Sequence, residues 1–256
     1  MLCAMETRIA LITGGGRGLG RASAIALAQQ GHDLILTYRE HSAQAEEVAA
    51  LVRSLGRKSM VLALDVADIA SHGGFAERMT TSLRSIWGRD RFDALVNNAG
   101  IDVHSPLGGT TEAQFDALLN VHFKGPYFLT QTLLPLIADG GSIVNTSTGL
   151  ARFTIPGYGA YAGMKSAMES LSRYWAKELG ERRIRVNIIA PGAIETDFTA
   201  PAFAHNPGMK DFIASQTALG RVGQPDDIGG VVAFLCSDAA KWVNAQRVEA
   251  SGGMFL

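Results

Sequence analysis

Cysteine is almost missing from this chain: there are two in 256 residues, Cys3 and Cys236, far apart and with no C-x-x-C pair or Cys/His cluster. That excludes a disulfide scaffold and a structural zinc, leaves no metal site to expect, and fits a reducing cytosol. An excess of charge is missing too. Lys and Arg number 23 against 24 Asp and Glu, for a net charge of −1, and the signs are interspersed. Bulk charge therefore offers nothing to nucleic acid, to an anionic membrane surface or to a basic partner. No stretch approaches the roughly 18 apolar residues of a membrane span, and the start, MLCAMETR, lacks the apolar region of a signal peptide. Internal repeats, low-complexity tracts and interdomain linkers are absent as well, so the 47% hydrophobic share is expected to fill one domain over 1–256.

What is present alternates. RIALIT, from Arg8, is an apolar run too short for a helix and reads as a buried strand. It breaks into TGGGRGLG, Thr13 to Gly20, and resumes as the amphipathic RASAIALAQQ with Gly31 as helix stop. Glycines 14, 18 and 20 allow positive φ, close approach to a ligand and close helix–strand packing, while the following helix offers unpaired N–H groups to a pyrophosphate. The spacing is G-x-x-x-G-x-G rather than G-x-G-x-x-G. Strands follow at His32–Arg39, at KSMVLALDV, at RFDALVNNAG, at GGSIVNTST, at RIRVNIIAP and at RVEASGGMFL, with helical patterns between them. The long pattern 111–138 reads as one helix carrying Asn120 and bending at Gly125-Pro126. Strand–helix alternation implies right-handed βαβ units: an α/β, doubly wound, seven-stranded parallel sheet flanked by helices, with a ligand crevice at the carboxyl ends of the strands.

The ends of those strands select the ligand. A carboxylate at the tip of the second strand would accept from the 2′-hydroxyl of NAD, whereas the tip here is Thr37-Tyr38-Arg39, and Arg17 projects from the glycine loop. Two guanidiniums could pair with a 2′-phosphate, so NADPH is expected over NADH, with Glu40 as the competing neighbour of Arg39. Asp65 and Val66 stand where an adenine ring could be gripped, and Asn97-Asn98-Ala99-Gly100 lets a flat cofactor lie close to backbone. The segment 198–222 turns irregular but keeps Phe198, Phe203, Met209 and Phe212, as a lid over an apolar substrate would.

Thr148, Tyr161 and Lys165 carry the chemistry. Tyr161 and Lys165 are four apart, so on a helix they share a face, and an ammonium beside a phenol lowers the phenol pKa. That makes Tyr161 a candidate proton donor to a carbonyl oxygen. TGGGRGLG, NNAG, Asn120, the YxxxK pair and PGAIET, in this order and spacing, make the chain from about Arg8 to Gly253 resemble a short-chain dehydrogenase/reductase. The resemblance implies a single Rossmann domain, Tyr161 as general acid/base, Lys165 on the nicotinamide ribose, and Asn120 holding a relay water. It implies further that Gly14, Gly16, Arg17, Gly18, Leu19 and Gly20 cradle the pyrophosphate and adenosine end. Arg39 would take the 2′-phosphate, Asp65 and Val66 the adenine, Asn97 the adenosine ribose, and Ile194 and Thr196 the carboxamide and phosphate. Many members are homotetramers packed through long helices, and the Trp175-bearing helix suits such burial.

At one position the chain departs from its relatives. Thirteen before Tyr161, where a serine is usual, stands Thr148, which keeps the hydroxyl donor but stiffens χ1. Ser147 competes for the role, but strand alternation points it to the opposite face. The populous neighbours of this pattern resemble 3-oxoacyl-carrier-protein reductases, yet LLPLIADGG, before the fifth strand, lacks basic residues to meet an acidic carrier. A free ketone, a polyol or a steroid-like alcohol fits as well as a 3-oxoacyl thioester. The other class of reading is a dinucleotide-sensing regulatory or scaffold protein without turnover, which would have no need of Asn120, Thr148, Tyr161 and Lys165 together.

Overall fold

Short aliphatic runs bounded by glycine or polar residues become strands because they are too brief to satisfy a helix and apolar enough to be buried on both faces. In the computed structural model, which describes residues 7–256, seven such runs form one sheet: β1 (Ile9–Ile12), β2 (Asp33–Tyr38), β3 (Ser59–Ala63), β4 (Phe92–Asn97), β5 (Ile137–Thr146), β6 (Arg185–Pro191) and β7 (Arg247–Ala250). Cys3 lies outside the described residues. Every pairing is parallel, and the order is β3-β2-β1-β4-β5-β6-β7. The chain winds outward from β1 to β3 and then returns to place β4 on the other side of β1. Connections leave β1 and β4 in opposite directions, which opens a crevice above their carboxyl ends.

Two helical layers close the sheet. On β1, Ile9 and Leu11 face a layer holding Phe75, Met79, Leu129 and Trp175, from α3 (His72–Ser82), α5 (Gly125–Leu133) and α6 (Gly159–Glu178). Ala10 and Ile12 face the other, with Leu27, Val48 and Val232 from α1 (Gly18–Gln29), α2 (Ser42–Ser54) and α9 (Pro225–Cys236). Each fully buried Leu, Ile or Phe contributes about 1.5–3 kcal/mol, so this double burial is what holds the crevice rigid. Trp175 spends its ring on the protein's own core, 6.0 Å from the ring of Tyr127 and 8% exposed, so it is not free for a subunit interface. Its neighbour Tyr174 points outward instead. Among the described residues no helix is long and apolar enough to cross a membrane.

Three elements differ from the sequence reading. The single bent helix over 111–138 is instead α4 (Glu112–Leu119), a π turn at Asn120–Lys124, then α5 and a short 3-10 turn, with Ile137 and Ala138 already in β5. Pro126 has no N–H for the carbonyl four residues back, and the wider turn absorbs that loss just before the proline rather than at it. Gly125 lies against the main-chain oxygen of Val66, where a Cβ would not fit. The segment 198–222 is not irregular: it folds as α7 (Ala200–His205) and α8 (Met209–Ser215). The seventh strand stops at Ala250, after which the chain turns back and Met254 bridges Thr217.

Candidate active site

The glycine loop runs from the end of β1 into α1. Gly14 (φ +67°) and Gly18 (φ +51°) occupy the left-handed region, where a side chain would be strained. Gly20 does not; it is helical and buried, and its α-hydrogen faces the Gly14 carbonyl, leaving no room for a Cβ. Gly14, Gly16, Arg17, Gly18 and Leu19 line the cleft, whereas Gly20 lies behind them and supports the loop. The first turn of α1 has no side-chain cap and no acidic residue, so its N–H groups remain for an anion. A dinucleotide pyrophosphate fits that cradle.

The next strand ends extend the same wall. Thr37 to His41 and Leu64 to Val66 line the cleft, so Arg39, Asp65 and Val66 stand where expected along it. The Arg39 guanidinium lies 2.7 Å from Glu40, and Arg17 is 4.0 Å from Asp197; all four side chains are at least half exposed. Asp65 also accepts from the Ala67 amide at 2.9 Å. Asn97 does not reach the cleft. Its side chain turns toward α5 and α6, donating to Asn145 Oδ1 at 2.8 Å and to Thr130 Oγ1 at 3.1 Å. Asn98 takes its place, donating to the Thr13 and Gly14 carbonyls at 3.0 and 3.2 Å. Alternation along β4 could have found this, since Leu95 and Asn97 share the face opposite Ala94 and Val96.

At the far end β5, β6 and α6 converge. Thr148, Tyr161 and Lys165 line the cleft and are buried, as is Ile194 on the loop after β6, where Thr196 also lines the cleft but is half-buried. Lys165 Nζ donates to the Thr146 carbonyl at 2.7 Å and lies 5.8 Å from the Tyr161 ring centre. An ammonium has three donors, so this contact leaves two for the hydroxyls of a bound ribose. Burial pulls Lys165 down to about 7. Tyr161 moves the other way from expectation: burial and then the Asp102 carboxylate push its pKa up, while the Thr148 hydroxyl, as hydrogen-bond partner, pulls it down. Two groups taken out of water side by side each favour the neutral form, and desolvation here outweighs the mutual help that helical spacing suggests. Tyr161 is thus held in its protonated form.

Ser147 lines the cleft as Thr148 does, but its hydroxyl is engaged elsewhere. Ser147 Oγ donates to Glu169 at 2.5 Å, within a network in which Arg247 bridges Glu169 at 2.8 Å and Glu249 at 2.7 Å. Arg247 also donates to the Thr148 carbonyl at 3.1 Å and so fixes the main chain that carries the other hydroxyl. Glu249 is held down at about 2, chiefly by Arg152. Asn120 opens the π turn and is not among the cleft-lining residues; Val121 and His122 are. A reading at 3.6 residues per turn could not have shown this, because one extra residue rotates the face. From the 198–222 segment, Phe198, Phe203 and Met209 line the cleft with Ile213, but Phe212 is exposed and packs toward Phe255. Phe153, Ile155 and Tyr158, just ahead of α6, complete an apolar half that the sequence reading did not single out.

The family model described as enoyl-(acyl carrier protein) reductase matches residues 14–255. The chain is 35% identical over 250 residues to an uncharacterised oxidoreductase of Methylorubrum extorquens, covering 98% of each. It is 35% identical over 257 residues to tetrahydroxynaphthalene reductase PfmaG of Pestalotiopsis fici, covering 96% of this chain and 91% of that one. It superposes on the crystal structure of the angucycline C-6 ketoreductase LanV with bound NADP at a TM-score of 0.91, with 32% identity over 98% of this chain and 96% of that one.

Proposed function

The chain belongs to the short-chain dehydrogenase/reductase family and is a reductase of it, and from that premise we propose that it uses NADPH to reduce a ketone carried on a flat, fused-ring phenolic skeleton. The observation that carries this reading is the meeting point: the Thr148 and Tyr161 hydroxyls face one cleft where its glycine-lined half joins an apolar half bearing Phe153, Ile155, Tyr158 and Phe198. Ring-walled space next to two hydroxyls suits an aromatic ketone better than an extended acyl chain. Relatives named for hydroxynaphthalene and angucycline ketones support the same class.

In this reading Lys165 would bind and orient the nicotinamide ribose with its two remaining donors, and the first turn of α1 would hold the pyrophosphate. Arg39 and Arg17 would take the 2′-phosphate, Arg39 exchanging its exposed contact with Glu40 for a partner of greater charge and more acceptor oxygens. The bound dinucleotide supplies the hydride. Thr148 donates a hydrogen bond to the carbonyl oxygen, and Tyr161 delivers its proton to the same oxygen as negative charge develops there. Residues 198–222 act as the lid, excluding water from that oxygen.

A regulatory protein without turnover is set aside by membership among the reductases. A 3-oxoacyl thioester on a carrier protein remains the substrate to test against, and the arginines beside LLPLIADGG, Arg91 and Arg182, are both engaged by Asp139. A homotetramer belongs to the same proposal and is checked by light scattering. The deciding experiment follows oxidation of NADPH and NADH with 2-tetralone, acetoacetyl-coenzyme A and a simple aliphatic ketone. Faster turnover of 2-tetralone with NADPH is expected; a preference for the thioester would overturn the substrate class, and no turnover of any carbonyl would overturn the reading itself.

A further inference from the structure

The π turn that displaces Asn120 brings a different side chain to Tyr161. His122 is 2% exposed, lines the cleft, and meets the ring of Tyr161 in a T-shaped contact, with centres 5.1 Å apart and planes at 87°. Its Nε2 lies 2.8 Å from the Ile101 carbonyl oxygen and 3.3 Å from the Ile101 amide nitrogen. One nitrogen cannot donate to the first and accept from the second. The shorter contact selects the Nε2–H tautomer, which donates to the carbonyl. Nδ1 is then a bare acceptor, buried without a partner.

Burying an unpaired ring nitrogen is unfavourable, and an aliphatic side chain would fill the same space without that penalty. The polar ring is retained at the contact with the reacting phenol, tied by its one hydrogen bond to the loop that leaves β4. Ile101 itself lines the cleft, so the bond links the cleft floor to the helix that carries His122. We propose that His122 is the positioning residue of Tyr161: held by the Ile101 carbonyl, its ring fixes the plane of the phenol and hence the direction in which the proton is offered. It occupies the place beside the Tyr161–Lys165 pair that the family resemblance gave to Asn120. Burial first and Lys165 second keep it neutral, in keeping with a ring that steers and does not titrate. This rests on the reading of Tyr161 as proton donor.

His122→Leu and His122→Phe test it in the full chain, with NADPH and 2-tetralone. Loss of the anchor is expected to lower kcat by about 10- to 100-fold, as misplacement of a reacting group by a fraction of an ångström does. The Kd for NADPH, read from quenching of protein fluorescence, should stay within about twofold, because the altered interaction is felt only in the reaction. The primary isotope effect on kcat with 4-deuterated NADPH should rise as the chemical step becomes slower. His122→Asn, whose amide can still donate to the Ile101 carbonyl, should recover part of the loss. Should the leucine variant not fold, the phenylalanine variant, with a ring of similar size, gives the reading. Wild-type kcat in a folded variant, an unchanged isotope effect, or a loss in kcat matched by equal loss of NADPH affinity would overturn the assignment. An inactive wild-type protein would instead remove the functional reading on which it stands.

Discussion

The two ends of the cleft are built from different material. From Gly14 to Gly100 the wall is largely main chain: glycines in the left-handed region, the open first turn of α1, and strand ends that present amides. At the far end it is side chain, with the Thr148 and Tyr161 hydroxyls, the Lys165 amine, the His122 imidazole and a set of rings. A wall of main chain tolerates change in what surrounds it but not an added Cβ, because amide directions are set by φ and ψ and not by residue type. A wall of side chains can be altered one atom at a time, so reaction and specificity are written there. Lys165 stands at the joint, one helical turn from Tyr161.

That contrast gives graded tests. Tyr161→Phe removes only the hydroxyl at the side-chain end; kcat is expected to fall by about 10²–10⁴-fold while NADPH binding, followed by fluorescence, is retained. If both fell together the two ends would not be separable. Thr148→Ala should cost roughly 10²-fold or more in kcat, the price of one lost oxyanion donor. Ser147→Ala, beside it, should lower the melting temperature with kcat near wild type, because its hydroxyl serves Glu169. The reverse pattern would show that the hydroxyls have been assigned to the wrong faces.

Arg39→Ala addresses the other end. Loss of one charge-assisted contact of about 1.5–3 kcal/mol should raise KM for NADPH by roughly 10- to 100-fold. KM for NADH and kcat should hardly move, and equal effects on both cofactors would remove Arg39 from the 2′-phosphate. The last test is at the joint and reads stability rather than turnover. Lys165 falls from 10.5 to about 7 on folding, so above pH 7 the unfolded chain holds a proton that the folded one has released. The wild-type protein should therefore gain stability as pH rises from about 7 toward 10, relieving a penalty that is fully present below 7. Lys165→Met, inactive but free of that penalty, should melt higher than wild type at pH 7 and converge with it toward pH 10. A constant difference across that range would mean that Lys165 keeps its ordinary basicity.

Much of this arrangement could be read from residues alone, and the failures are instructive. Apolar runs closed by glycine located all seven strands, and separations along the chain located Tyr161, Lys165 and Thr148, because periodicities of 2 and 3.6 are local properties of backbone geometry. Alternation past the end of β5 separates the Ser147 hydroxyl, which bonds Glu169, from that of Thr148, although both residues line the cleft; the same rule, had it been applied to β4, would have exchanged Asn97 for Asn98. Phe212 was misplaced because a run of aromatics does not say which of them a pair of short helices turns inward. Trp175 proved to be a core residue of its own chain, a distinction the sequence cannot draw because burial in the core and burial in an interface look alike there.

Local order along the chain thus sufficed for the strands, the glycine turn and the helical pairing of phenol with amine, since neighbours in sequence set φ, ψ and spacing. The identity of the ring against that phenol, the direction in which its pKa moves, and the apolar half of the cleft required the packed molecule. One extra residue in the π turn brings His122 in place of Asn120, and desolvation depends on every layer that shuts out water, including segments more than fifty residues away in the chain.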